Sequence, residues 1–255
     1  MRISYELNPP KVVKGDYFDL LRLNLEMEYL IGRASSLNGF VDGIHLTDSV
    51  LGMPRVSSVT AANYIKRSGN SLNLSCSLRV RDRNLTSTSQ FVCDAILMGM
   101  KSLLILTGDE PPDGPKDSGL KPSDVLKVLH SRKYDTAVDL NLSIPNKIKN
   151  RSSIQKKIEA RPHAFITQSV VSLSDLGEIV DIAKPSGIKV VACIMAPSEK
   201  NKSSAIMIGL NWKEYEKNPI DFIRQAGKIA NEVLITSPNS FTSGIDLLKE
   251  LKKNK

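Results

Sequence analysis

The chain has little cysteine, few aromatic rings and no long apolar run, and each shortage removes a class of protein. The three cysteines, Cys76, Cys93 and Cys193, are an odd number, widely spaced and set in apolar sequence. That pattern supports neither a disulfide framework nor a zinc knuckle, so a reducing, cytoplasmic compartment is expected. The three histidines, His45, His130 and His163, lie far apart in sequence, and no metal centre is expected from them. Apolar runs of a few residues cannot span a bilayer, and the opening MRISYELNPP lacks the apolar core of a signal peptide. No membrane partner is expected.

Aromatic residues make up 5% of the chain while the formal net charge is +8. A basic chain can bind nucleic acid, but these lysines are scattered, the densest cluster being the C-terminal LLKELKKNK. No basic stretch is interleaved with stacking rings, so the charge reads as a solvated lysine-rich surface and nucleic acid is not an expected partner. Acid and base chemistry in such a chain falls to carboxylates or to a cofactor.

What the chain does have is alternation. Short apolar segments at 2–7, 41–47, 71–77, 102–107, 134–140, 163–168, 188–194 and 232–236 read as strands. Helix-period segments lie between them at about 17–37, 57–68, 85–99, 122–132, 151–160, 173–185, 218–230 and 242–253, with start signals such as Ser123–Asp124 and Pro219. No composition shift or Ser/Gly-rich linker divides the chain, so residues 1–255 read as one domain. Eight strand–helix units in 255 residues match a single α/β domain, a closed (β/α)8 TIM barrel with few insertions. An open doubly wound sheet is the other possibility, but no Gly-rich fingerprint follows the first strand and there is no P-loop.

In a barrel of this kind the C-terminal strand ends carry the site. LLILTGDEPPDG at 103–114 is an apolar run stopped by Gly108 and Pro111, which sets Asp109 just beyond a strand; an acidic turn residue is the alternative reading. The other strand ends fall at Glu6 to Pro10, Thr47 and Asp48, Ser77 to Arg79, Thr107 to Asp109, Asp139 to Asn141, Thr167 and Gln168, and Thr236 to Asn239. Glu6 and Asp109 are thus carboxylates on different strands. A glutamic acid against apolar walls acquires a raised pKa and acts as a general acid, whereas a surface glutamate does not. His45 lies mid-strand and reads as a hydrogen-bonded core residue. Cys76 and Cys193 alternate with apolar residues and read as buried, inert thiols. Trp212, within the mixed-polarity segment 197–218, reads as the anchor of a loop and short helix packed on the barrel, a lid over the mouth being the alternative reading.

These junctions resemble the methylenetetrahydrofolate reductase family. SYELNPPK at 4–11 resembles its opening motif, GIHLTD with GMPRVSS at 43–58 its second strand and loop; RDRN at 81–84, LLILTGDEPPDG at 103–114 and ITQ at 166–168 preceded by Lys157 follow in the family's order. The likeness covers about residues 2–170, and the last third only loosely, through VVACIMAP at 190–197 and SPN at 237–239. The resemblance implies a barrel holding FAD, with electrons passing from a reductant through flavin to methylenetetrahydrofolate. Glu6 matches the family's general acid, Asp109 the aspartate near flavin and pterin, and Gln168 the glutamine that binds the pterin. Thr47, Thr107, Gly108 and Asp109 fall at flavin-contact positions, and Lys157 on the cofactor side.

The chain departs from that pattern at four places. Ser77 stands where the family has histidine, Leu140 and Ile144 where tyrosine and histidine contact flavin, and Asn150 where aspartate is frequent. The resemblance therefore implies either a compact flavin-dependent reductase of methylenetetrahydrofolate, or of a related pterin one-carbon carrier, or a barrel that binds folate as an accessory subunit. The electron donor is NAD(P)H or a partner reductase, and a homo-oligomer or a partner subunit is in keeping with the family.

Overall fold

The computed structural model describes residues 1–253 except 16, 113–116 and 149–150. Eight parallel strands close on themselves in chain order: β1 (Ile3–Leu7), β2 (Gly43–Leu46), β3 (Asn73–Arg79), β4 (Ser102–Leu106), β5 (Asp139–Ile144), β6 (Ala164–Thr167), β7 (Lys189–Met195) and β8 (Glu232–Thr236). The helices are α1 (Leu20–Ser36), α2 (Ser58–Arg67), α3 (Leu85–Leu97), α4 (Pro122–Ser131), α5 (Arg151–Glu159), α6 (Leu173–Ala183), α7 (Lys202–Met207), α8 (Pro219–Ile229) and α9 (Phe241–Lys253). This is a (β/α)8 barrel.

Local chemistry sets the helix starts. Asn84 caps α3 through a reciprocal bond with Ser87, Asp19 caps α1 and Ser172 caps α6, while Pro122 and Pro219 occupy first turns where a missing N–H costs nothing. Period-2 alternation sorts the strand side chains. On β3, Cys76 and Leu78 share one face and Ser75, Ser77 and Arg79 the other; the register aligns Ser77 with Leu104 and Asn141.

The fifth strand lies later than the sequence suggests. It begins at Asp139, not 134, because α4 ends at Ser131, Lys133 adopts a left-handed φ of +61°, and Tyr134–Thr136 form a 3-10 turn. Asp139 is therefore at the strand's N-terminal end, where Lys101 lies 3.4 Å away, and Leu140 is its second residue. The strand's C-terminal end is Ser143–Ile144. β3 also runs two residues past Ser77, and α7 adds a short helix within the segment around Trp212, whose side chain is buried.

Contacts group the chain into two compact units, Met1–Glu6 with Gly39–Asp42 and Ser143–Lys255, and Leu7–Asn38 with Gly43–Leu142. In the first, β8 pairs with β1 and β7, and Tyr5 packs edge-on against Phe241 with ring centroids 5.8 Å apart. In the second, β2, β3, β4 and the start of β5 form a continuous ladder backed by α2 and α3.

Two glycines in helices make opposite predictions. A Cβ on Gly244 in α9 collides with the ring of buried Tyr5, so Gly244→Ala should cost about 1–3 kcal/mol through overpacking. Gly177 in α6 has open space around it, and Gly177→Ala should stabilise by about 0.5–1 kcal/mol. The shift of the urea midpoint measures both.

Candidate active site

Glu6 is the next-to-last residue of β1, and its Oε1 accepts a 2.7 Å hydrogen bond from the hydroxyl of Thr236 at the end of β8. Part of the side chain stays accessible, but protein atoms crowd the carboxyl. Burial raises its pKa above the usual carboxylate range, and the Thr236 bond opposes this only in part. Cys193 on β7 lies within its field. Burial, and then the charge of Glu6, push the Cys193 thiol far up, so it stays protonated. The Cys193 N–H donates to Thr167 Oγ1 at 3.0 Å, and its Sγ lies 3.9 Å from Ser169 Oγ. The Tyr215 hydroxyl donates to Met195 O at 2.8 Å while its ring stacks on Phe222. The result is a carboxyl group whose ionisation burial disfavours, within the field of a thiol that burial keeps protonated.

Two other expected residues belong to the same unit. Gln168, just past β6, exposes its side chain and donates its backbone N–H to Ile144 O at 2.8 Å. Lys157 on α5 donates from Nζ to Ser143 O at 2.5 Å. Burial lowers its pKa, and among the described residues no carboxylate pairs with it. Ile144 is buried and apolar, so it offers a ligand no hydrogen bond.

The other unit centres on a residue that the sequence places at a strand end without assigning it a role. Arg79, 1% exposed, donates from Nε to Asp82 at 3.1 Å, from Nη1 to Ser49 O at 2.9 Å and from Nη2 to Asp109 O at 2.8 Å. Its own N–H donates to Asp48 Oδ2, which also accepts from Arg83. The only hint in the sequence is a charge inside an apolar run, SLRV. Gly108 has a φ of +87°, and a Cβ there would stand 2.8 Å from Arg79 Cβ, so both backbone angle and space demand glycine.

Asp109 is exposed, and its Oδ2 accepts from Leu51 N–H at 2.7 Å. That bond steadies a loop in which Ser49 and Leu51 both take left-handed φ, +45° and +60°. Thr107 is half-buried, and its carbonyl accepts from Arg81 N at 3.1 Å. Thr47 is buried, with Oγ1 donating to Asn8 Oδ1 at 2.7 Å.

Ser77, where the resemblance leads one to expect histidine, receives an imidazole from the neighbouring strand. The His45 ring lies between Ser75 Oγ and Ser77 Oγ, 2.9 Å from each. Burial lowers the His45 pKa to about 4, so the ring is neutral. Leu140 alternates away from Asn141, whose buried Oδ1 has no hydrogen-bond partner among the described residues. Cys76 is buried against Met100, its pKa pushed up to about 12, whereas Cys93 on α3 is exposed. Asn150 lies outside the described residues. Among the described residues no group of three His, Cys, Asp or Glu side chains is arranged to hold a metal, and no helix is long and apolar enough to cross a membrane.

No protein-family model matches the chain, and no curated protein matches it by sequence. Solved structures share its fold. A protein described as "QR15, an Aldolase" superposes with a TM-score of 0.58 at 13% identity, covering 98% of this chain and 94% of its own. Riboflavin lyase RcaE, solved with modified FMN and riboflavin, gives 0.62 at 12% identity over 99% and 90%. Deoxyribose phosphate aldolase from Aeropyrum pernix, described as a tetramer, gives 0.58 at 13% over 100% and 91%. At such identities the likeness concerns the fold.

Two titrations follow. Folded Glu6 holds its proton to a higher pH than the unfolded chain, whose value is near 4.5, so the wild type loses stability as pH rises through that window. Glu6→Gln should therefore be more stable than wild type at pH 8, and the gap should close below about pH 4.5. His45 has the opposite sign: the unfolded ring takes its proton first, so stability is lost as pH falls from 6.5 toward 4, by about 3 kcal/mol in total. His45→Gln should flatten that stretch of the stability–pH curve measured by urea denaturation.

Proposed function

We propose that the chain is an enzyme, a flavin-dependent reductase that converts 5,10-methylenetetrahydrofolate, or a related pterin one-carbon carrier, to the 5-methyl form. Glu6 carries the reading: a carboxyl group at the C-terminal end of a barrel strand, its pKa raised by burial and its side chain oriented by Thr236. Bound to the mouth of the barrel, the carrier would take the Glu6 proton on the nitrogen that leaves the methylene carbon, opening the imidazolidine ring to an iminium. Gln168, with its side chain exposed past β6, would hydrogen-bond the pterin. In the other unit, Asp109 keeps a carboxylate oxygen that Leu51 does not occupy, free to accept a hydrogen bond from a ligand.

The residues fit a flavin, taken unit by unit. In one, Lys157 is a half-buried ammonium with a single carbonyl partner and no counter-anion, a state that a phosphate group relieves. In the other, Thr47 keeps acceptor capacity, and Thr107, Gly108 and Asp109 form a fixed backbone corner after β4. When bound, FAD supplies the hydride that reduces the iminium, having been reduced itself by NAD(P)H or a partner reductase.

A Schiff-base aldolase is less well supported. That chemistry needs a free amine in the site; the strands offer only Lys189, exposed at the start of β7, and the half-buried amine of Lys157 on α5 is spent on the carbonyl of Ser143.

An absorbance spectrum of the protein from about 300 to 550 nm after FAD addition and removal of excess tests the proposal. A retained band that bleaches on reduction and returns on adding methylenetetrahydrofolate is expected. Glu6→Gln should keep the band and slow its return by about a hundredfold or more. Lys157→Met should loosen FAD by about tenfold. No retained flavin, with folate binding intact, would replace the reductase with an accessory folate-binding barrel.

A further inference from the structure

We infer that the cavity bounded by the loops after β2, β3 and β4 binds the anionic group, phosphate or carboxylate, of a flat organic ligand. The inference is independent of the reaction proposed above. The cavity encloses about 900 Å³, the size of a small-molecule site. Pro54, Pro111 and Leu85 give it apolar walls, and Arg55, Arg81 and Arg83 give it guanidinium groups.

Two of those guanidinium groups are fixed by the protein. Arg83 is held by Asp48 and by the carbonyl of Arg79, over the ring of Phe91, and Arg81 donates from Nε to Gly108 O at 3.0 Å. Arg55 differs. Its Nη1 donates to Pro9 O at 2.6 Å, but among the described residues its Nε, cut off from water, has no acceptor and no carboxylate lies within ion-pair distance. Burial lowers the Arg55 pKa, and Glu26, the one acid whose field opposes this, is already paired with Arg22 and Lys14. An uncompensated, half-buried guanidinium is stabilised by an anion.

The cavity also receives the N-terminus of α3, whose 13 residues carry no acidic side chain in the first turn. The positive end of that helix is therefore not neutralised from within. Among the described residues two carboxylates line the cavity, and both are engaged: Asp82 binds Arg79, and Asp117 accepts from the N–H of Gly119. Planar guanidinium groups beside proline walls suit a ring next to the charge.

Isothermal titration of the full chain, without flavin, at low salt, with pyrophosphate, ADP and tri-γ-glutamate provides the test. Binding of at least one probe is expected, weakened about tenfold or more by Arg55→Gln and in about 0.5 M KCl. Preference for ADP or pyrophosphate would identify a nucleotide source, and preference for the glutamate chain a polycarboxylate. Thr86→Asp guards against misfolding: it places a carboxylate at the start of α3, which favours the helix, and should abolish binding without lowering the urea midpoint. No binding by any probe, or binding indifferent to both substitutions, would overturn the inference.

Discussion

A guanidinium group sealed from water must have its donors matched inside the protein, because an unmatched buried charge costs several kcal/mol. Arg79 meets that demand with partners from three different loops: Ser49 after β2, Asp82 after β3 and Asp109 after β4. The loops that carry most of the chemistry in this unit are thus fixed to one side chain. The backbone of Asp109 is one anchor, which leaves its carboxylate to brace the left-handed turn at Leu51. Gly108 completes the arrangement by leaving room for the arginine.

The other unit applies the same rule in reverse. Among the described residues Glu6 makes no ion pair; its partner is a neutral hydroxyl, and the Cys193 thiol within its field is kept protonated by burial. With no countercharge and little solvent, ionisation of the acid is disfavoured and its pKa is raised. One unit therefore stabilises charge by pairing it, and the other holds a proton by withholding a pair.

The barrel was legible in the chain because its strands are short apolar runs cut off by Gly, Pro and Asp, and its helices have caps. The fifth strand was misplaced because Tyr134, Thr136 and Val138 mimic alternation, while the real signal, Leu140, Leu142 and Ile144, sits one strand-length later. Glu6 and Asp109 could be named from strand ends, but not their environments. Thr236 is 230 residues from Glu6 and Leu51 is 58 from Asp109, and no local pattern encodes such pairings. The role of Arg79 was hidden for a related reason: a charge within SLRV looks like the exit from a strand, and only the closed fold reveals that it is buried.

The unequal surroundings of the thiols have a practical consequence. Cys76 and Cys193 are sealed and held in the unreactive thiol form, whereas Cys93 stands exposed on α3. Since alkylation needs both access and thiolate, a maleimide dye under native conditions finds a single handle. That handle lies on the helix whose first turn borders the arginine-lined cavity, so the unmutated protein carries its own attachment point for a fluorescent reporter of what enters there.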